Sequence, residues 1–352
     1  MWNILSHISN TLLYEFDDYK NNYKLSDYSG VELINPGNIR IGKNVKIQPT
    51  TLINAENGPI IIDSGVNIYG QTYLEGPLYI GKNCLVKPLT QIKNSAFGPM
   101  CKLGGEIDTV IIQGYSNKVH EGHLGDSFLG EWVNLGSGTQ NSNLKNNYSS
   151  VNLELNNKTV ETNKIHIGTF IGDHTKTAIG TKLNSGSVIG LGSMIATYDF
   201  PPKLINPFTW YINGEKRKVI LDKFLKTTYH SMARRDKALT ELEIDLLAME
   251  IFNLRTVSAA AEGKAPGMES SLLKIKGTLV RQKTTELLRK ALGPQALPYL
   301  PEQFDEGWNE MPVGPSYAGP IAKQYFNMRK IYIYAGSNEI QKNIVAKASF
   351  GL

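Results

Sequence analysis

Residues 118–126, Lys-Val-His-Glu-Gly-His-Leu-Gly-Asp, hold the densest set of groups in the chain that could do chemistry. The run continues through Glu131, Trp132, Asn134 and the turn Gly136-Ser137-Gly138-Thr139 to Asn143. His120 and His123 carry imidazoles, which titrate near neutral pH and can accept or release a proton. Lys118 and Lys145 could meet an anionic substrate. Asn and His at turns also satisfy backbone groups without any catalysis, and Asn134 reads that way, as a rung in a ladder of turn residues. His123 and His174 read as structural or supporting groups. No His, Cys or Asp cluster has metal-ligand spacing, so no metal is expected.

These polar groups need a stiff scaffold, and the surrounding sequence supplies one. From Gly37 the chain repeats every six residues: Ile41-Gly42-Lys43-Asn44-Val45-Lys46, Ile62-Asp63-Ser64-Gly65-Val66-Asn67, Ile80-Gly81-Lys82-Asn83-Cys84-Leu85. An aliphatic residue leads each hexad, and a small or β-branched residue follows four positions on. Hexapeptide periodicity indicates a parallel β-helix. Three hexads close one coil, the leading aliphatics stack inward, and Gly and Asn take the tight turns. The beat runs to Ser193, with a polar interruption at 141–164 that is too long for a turn.

Ahead of the repeat, Trp2, Leu5, Ile8 and Leu12 predict a short amphipathic helix within residues 1–30. Behind it, Pro201-Pro202 ends the beat and a basic helix is expected around Val219–Arg235. From Asp236 apolar residues recur at helical spacing, with Leu239, Leu242, Leu246 and Met249 in one helix and Leu272, Ile275, Leu279 and Leu287 in the next. Residues 293–319 read as a connector. Residues 321–332 are again helical, and a last helix follows Gly336, with Asn338 as its cap and Gln341 three residues on.

The totals fit two domains: 352 residues, 41% hydrophobic, and 33 glycines concentrated in the repeat. A net charge of +5, from 37 basic and 32 acidic residues, is too mild to imply nucleic acid. Cys84 and Cys101 are too few for a disulfide framework and occupy repeat positions that call for small buried side chains. No signal pattern opens the chain and no run approaches a membrane span, so a cytoplasmic protein without membrane contact is expected.

With the repeat in place, the first part resembles the acyltransferase domain of hexapeptide-repeat enzymes. It is most similar to the bifunctional N-acetylglucosamine-1-phosphate uridyltransferase/glucosamine-1-phosphate acetyltransferase group and its sugar nucleotidyltransferase relatives. The resemblance covers roughly residues 1–235. It rests on Gly114-Tyr115-Ser116-Asn117-Lys118, His120, Leu124-Gly125-Asp126, Asn141-Ser142-Asn143 and Gly172-Asp173-His174-Thr175. It implies a left-handed parallel β-helix, and a uridylyltransferase domain that is missing here. It places the general base at His120, six residues before Asp126, and a sugar-site amide at Asn143. Lys118, Glu106, His123 and Lys145 fall in the implied substrate region. Ser137, Asp173 and Thr175 fall where acyl-CoA would lie. Asp108 stands where the family keeps a Lys for the sugar phosphate, and a carboxylate opposes a phosphate by sign.

Residues 236–352 resemble the carboxy-terminal helical domain of acyl-CoA dehydrogenases. The motifs are Ala260-Ala261-Glu262-Gly263 and Ile333-Tyr334-Ala335-Gly336-Ser337-Asn338-Glu339-Ile340-Gln341-Lys342. The second implies a turn beside a flavin, with Ser337 as its contact. Ala335 stands where many members keep the catalytic carboxylate, and Ala cannot take a proton.

The expected architecture is therefore an N-terminal helix and connector (1–30), a left-handed β-helix (31–205), a basic helical extension (206–235) and an all-α domain (236–352). No Gly, Pro or Ser linker marks the join near Arg235, which is either a natural fusion or a joining artefact. Three readings stay open. One is an acyltransferase moving an acyl group from acetyl-CoA or another acyl-CoA to an amino group, of a sugar or sugar phosphate, as a homotrimer. Another is an acyl-CoA dehydrogenase remnant that binds FAD with partner chains. The last is a non-catalytic trimerising module.

Overall fold

The computed structural model describes residues 2–19, 28–155, 158–238, 240–261, 263, 267–292, 307–308 and 319–351. The chain divides into two compact units, Met1–Lys237 and Ala238–Leu352.

The first unit is the parallel β-helix that the hexads require. Its long strands, β1 (Tyr73–Ile80), β2 (Gln91–Phe97), β3 (Glu106–Gly114) and β4 (His123–Glu131), stack in parallel register within an 11-stranded sheet. Two-residue strands such as Lys102–Leu103 and Asn117–Lys118 form a second parallel ladder on another face. Leading aliphatics including Ile41, Ile62, Ile80, Leu103 and Ile112 stack in one sealed column. Each contributes roughly 1.5–3 kcal/mol by leaving water. Cys84 and Cys101 lie fully buried in the same column as free thiols, and the Cys84 thiol donates to Gly98 O at 3.1 Å.

The coil length departs from three hexads where the site lies. Leu85 sits 18 residues above its partner Asn67, as three hexads require, but His123 sits only 17 above Glu106 and Asn117 only 15 above Lys102. Corners of one residue in left-handed conformation replace longer turns: Asn94, Thr109 and Asp126 at one edge, Tyr115, Trp132 and His174 at another.

At the amino terminus a 3-10 turn (Trp2–His7) leads into α1 (Ile8–Glu15). Ile8 and Leu12 pack on Ile61 of the sheet. The interruption at 141–164 contains an antiparallel hairpin, β5 (Asn152–Leu155) with β6 (Lys158–Glu161). Val151 and Leu153 anchor it on Ile167 and Phe170. The ladder then resumes at β7 (Thr169–Ile171), with Phe170 above Phe128.

The stretch expected to be a basic helical extension is only partly helical. Its first part is a hairpin, β8 (Thr209–Ile212) with β9 (Glu215–Lys218), because Asn213-Gly214 supplies two consecutive residues with positive φ. The helix proper is α2 (Leu221–Ala233), whose Phe224 packs edge-on against His174 and Phe208.

The second unit comprises α3 (Glu241–Ala261), α4 (Glu269–Leu292), α5 (Gly319–Arg329) and α6 (Asn338–Phe350). Thr240 and Glu243 form a reciprocal capping box at the start of α3. The other helices gather on α4: Lys276 pairs with Asp245 of α3 at 2.5 Å, and Lys274 donates to Asn338 Oδ1 at 2.7 Å. The expected cap of the last helix is displaced by one residue. Ser337 is the cap, with its Oγ accepting from Ile340 N at 3.3 Å, while Asn338 is buried and receives Lys274. Leu239, predicted for the first of these helices, and most of the expected connector 293–319 lie outside the described residues.

Candidate functional site

The polar run is divided between two edges of the β-helix. Asn117–Lys118 is a strand on one face, His120 lies at the corner that follows, and β4 begins at His123. Within β4, Asp126 takes a φ of 47° and turns the chain to the next face. His120 and Asn143, the pair on which the sequence reading relied, therefore stand at different corners.

At the His120 corner the side chain of Lys118 points inward rather than toward a substrate. It is 2% exposed, and its ammonium donates to Gly104 O at 2.8 Å and His120 O at 2.6 Å. Burial pushes its pKa down to about 8. The expectation that Lys118 serves an anion fails for this reason; it ties the corner to the coil below. The His120 imidazole is exposed and makes no hydrogen bond among the described residues. Beside it, Ser137 Oγ donates to the Glu121 carboxylate at 3.0 Å.

At the other corner three stacked coils and the returning chain bring two hydrogen-bonded polar groups together around one cavity. Asn94 donates to Thr109 Oγ1 at 2.9 Å, and Thr109 donates to Asp108 at 2.9 Å. One coil higher, Asn143 Nδ2 donates to Asp126 Oδ2 at 2.6 Å. Burial raises the Asp126 pKa, opposed by the Asn143 hydrogen bond and by the nearby His166 and His123. Asp126, Thr109, Asn94 and His166 line an open cavity of about 440 Å³, closed on one side by Trp2 and Leu5.

His123, rather than His120, is the histidine beside Asn143. Its Nδ1 lies 3.4 Å from Glu106 Oε1 directly below it in register. Its Nε2 lies over Gly125, where a Cβ would overlap that nitrogen and come within 2.9 Å of Asn143 Nδ2. Glycine at 125 is thus required for both groups to meet there. Asn141 fixes the same residue from above, accepting from Gly125 N at 2.9 Å and donating to Gly125 O at 3.0 Å. Asp108 does not stand as a bare negative charge, because Lys93 of the coil below approaches it to 3.1 Å. The pair raises the Lys93 pKa, through the hydrogen bond to Asp108 first.

Other predicted residues are engaged elsewhere. Thr175 is fully buried and donates to Gly190 O at 3.0 Å, so its side chain cannot touch acyl-CoA. Asp173 accepts from Glu131 N at 2.8 Å and keeps an exposed side chain. Lys145 closes its own turn on Ser149 and Ser150. Asn134 takes the amide of Asn117 at 3.0 Å, a ladder contact. Ser337 is occupied as a helix cap. Lys93, Asn94, Thr109 and His166 were absent from the sequence reading. The first three become visible once the 15- and 17-residue coil lengths are used to step down from Asp126, whereas His166 returns only through the inserted segment. Among the described residues no group of three or more His, Cys, Asp or Glu could hold a metal ion, and no helix is long and apolar enough to cross a membrane.

Comparison with known proteins divides the chain in the same way. The family model of the acyl-CoA dehydrogenase C-terminal domain matches residues 232–350, beginning in the last turn of α2. The Carboxydothermus hydrogenoformans bifunctional protein GlmU is 28% identical over 214 residues, covering 50% of this chain and 42% of that protein. A bifunctional sugar-1-phosphate nucleotidylyltransferase/acetyltransferase from Sulfurisphaera tokodaii is 31% identical over 188 residues, covering 53% and 43%. The chain thus spans less than half the length of these curated relatives. Among solved structures, the Francisella novicida UDP-N-acetylglucosamine acyltransferase aligns with 64% of this chain and 76% of its own, at 12% identity and a TM-score of 0.32. The chain therefore joins a hexapeptide-repeat β-helix, similar in sequence to two bifunctional proteins, one of them a sugar-1-phosphate nucleotidylyltransferase/acetyltransferase, to a segment that matches the acyl-CoA dehydrogenase C-terminal domain.

Proposed function

We propose that the β-helix is an acyltransferase that moves an acyl group from acyl-CoA to an amino group, on a sugar or sugar phosphate. In that reaction the amine must lose a proton as its nitrogen attacks the thioester carbonyl, and a neutral imidazole is suited to take it. The observation that carries the reading is the exposed His120 imidazole at a corner fixed by the buried Lys118, in a chain similar to two bifunctional proteins, one of them named for acetyl transfer. His120 is the base, and Asn143 with Asp126, which stands at a different corner of the same chain, holds the acceptor from a neighbouring subunit of the homotrimer. Lys93 beside Asp108 offers a cation where the sequence alone gave only a carboxylate, which keeps a phosphorylated acceptor open.

One observation favours a second assignment of the base within the same reaction. Glu106 lies beside His123 Nδ1, and His123 Nε2 and the Asn143 amide both lie over Gly125, which suits a carboxylate-oriented base. CoA release from acetyl-CoA, measured with amino sugars and amino-sugar phosphates, tests the reading. Replacing the base with Ala lowers turnover by about 10²-fold or more. A fall in His120→Ala alone assigns the role to His120, and a fall in His123→Ala alone assigns it to His123. Absence of CoA release with every amine acceptor overturns the proposal. The working form is taken to be a homotrimer through the β-helix, and a monomer by sedimentation equilibrium would refute that.

A further inference from the structure

The corner of Tyr115 and Trp132, at the other end of the Asn117–Lys118 strand from His120, carries a group of cations. Lys102 and Lys176 rise from the coils, and Arg234 and Arg235 follow the last turn of α2, all lining one cavity of about 250 Å³. Among the described residues no Asp or Glu lines it. Arg235 is held in place: its Nη2 donates to Asn117 Oδ1 at 3.1 Å, and Asn117 in turn donates to Asn134 Oδ1 at 3.0 Å. The apolar side is built by Tyr115 and Trp132, stacked with centroids 4.4 Å apart and an interplanar angle of 9°.

Four cations facing one small cavity repel one another, and the apolar side weakens solvent screening. The two lysines register this. Burial, then Arg235 and Arg234, lowers the pKa of Lys102, and burial lowers that of Lys176. Among the described residues Lys176 Nζ has one hydrogen bond, to His174 O at 3.2 Å, which cannot neutralise it as a carboxylate would. The carbonyl end of α2 offsets only part of the charge. A planar guanidinium fixed by an amide, beside two ammonium groups, matches the several acceptor oxygens of a phosphate.

We infer that the cavity between the Tyr115/Trp132 corner and the end of α2 is a binding site for a small phosphate ester, held by Lys102, Lys176, Arg234 and Arg235. The occupant carries one or two phosphates, and its ester group lies against Tyr115. The site does not depend on which histidine, if either, acts as base, and its test needs no acyl transfer.

Isothermal titration of the full chain with pyrophosphate, AMP, ribose 5-phosphate and adenosine, at fixed ionic strength, tests the inference. Pyrophosphate and at least one monoester bind, and adenosine does not. Binding of both monoesters indicates that the phosphate is read, whereas AMP alone indicates that a base also stacks. Arg235→Gln and Lys176→Gln each weaken binding about tenfold, the loss of one charge-assisted contact. Lys176 stands on the β-helix, so its variant excludes a loss caused only by release of α2. Absence of binding by all phosphates, equal binding of sulfate, or undiminished binding in both variants overturns the inference.

Discussion

Replacing Lys118 with Met keeps the aliphatic stem and removes the ammonium that bridges Gly104 O and His120 O at 2.8 and 2.6 Å. Two hydrogen bonds from a charged donor contribute roughly 1.5–3 kcal/mol each. Against this stands the cost of holding the ammonium out of water. A pKa lowered by burial from 10.5 to about 8 corresponds to about 3 kcal/mol. The variant should therefore lose about 1.5 kcal/mol at neutral pH, the middle of the difference. For a unit of this size that is roughly 3–6 °C in melting temperature. The pH dependence carries the sharper signature. The folded pKa lies below the unfolded one, so between pH 8 and 10.5 the unfolded chain binds more protons and wild-type stability rises with pH. Lys118→Met lacks that rise, so the gap between the two proteins should widen from pH 8 toward 10. Thermal unfolding followed by the β-sheet circular dichroism band reads both effects. Equal melting temperatures at pH 7 with a gap that stays constant to pH 10 would refute the bridging role.

Further outcomes follow from the same geometry. Gly125→Ala places a methyl against His123 Nε2 and Asn143 Nδ2, and should reduce acyl transfer about tenfold or more while shifting the melting temperature little. His174 is held between Trp132 and Phe224 with an unpartnered buried Nδ1, and burial lowers its pKa to about 4. Its contribution is fully present above pH 6.5 and is lost as pH falls toward 4, by up to about 3 kcal/mol. His174→Phe should flatten that part of the acid unfolding curve; an unchanged curve would show that the imidazole is not the group that titrates. Ser337→Ala removes the cap of α6 and should cost the helical unit about 1 kcal/mol in urea denaturation.

The β-helix was legible because a six-residue beat has one physical solution: Ile41, Ile62 and Ile80 must stack inward if successive coils are to bury them. The helices of the second unit were legible from apolar spacing for the same kind of reason. What the sequence concealed was register. A corner made of one left-handed residue shortens a coil by one or more positions, and no hexad count reveals which coil is shortened. For that reason Lys93 beneath Asp108, and Glu106 beneath His123, emerged only from the stacked strands. Lys118 and Thr175 misled for a different reason. Polar side chains beside a functional corner look like ligand contacts, yet both satisfy carbonyls inside the wall. The displaced cap at Ser337 arose because Asn338 suits a cap equally well by residue type, and only its contact with Lys274 decides between them.

The two thiols one coil apart in the sealed column give the molecule a built-in clock. Both of the chain's cysteines, Cys84 and Cys101, belong to the β-helical unit, and both are fully buried. A thiol reagent added to the native protein can therefore react only when the central coils part. Unfolding confined to the helical unit leaves the labelling rate unchanged. Labelling compared with the loss of helical signal would thus time the opening of each unit separately in one intact chain, without a mutation or an attached dye.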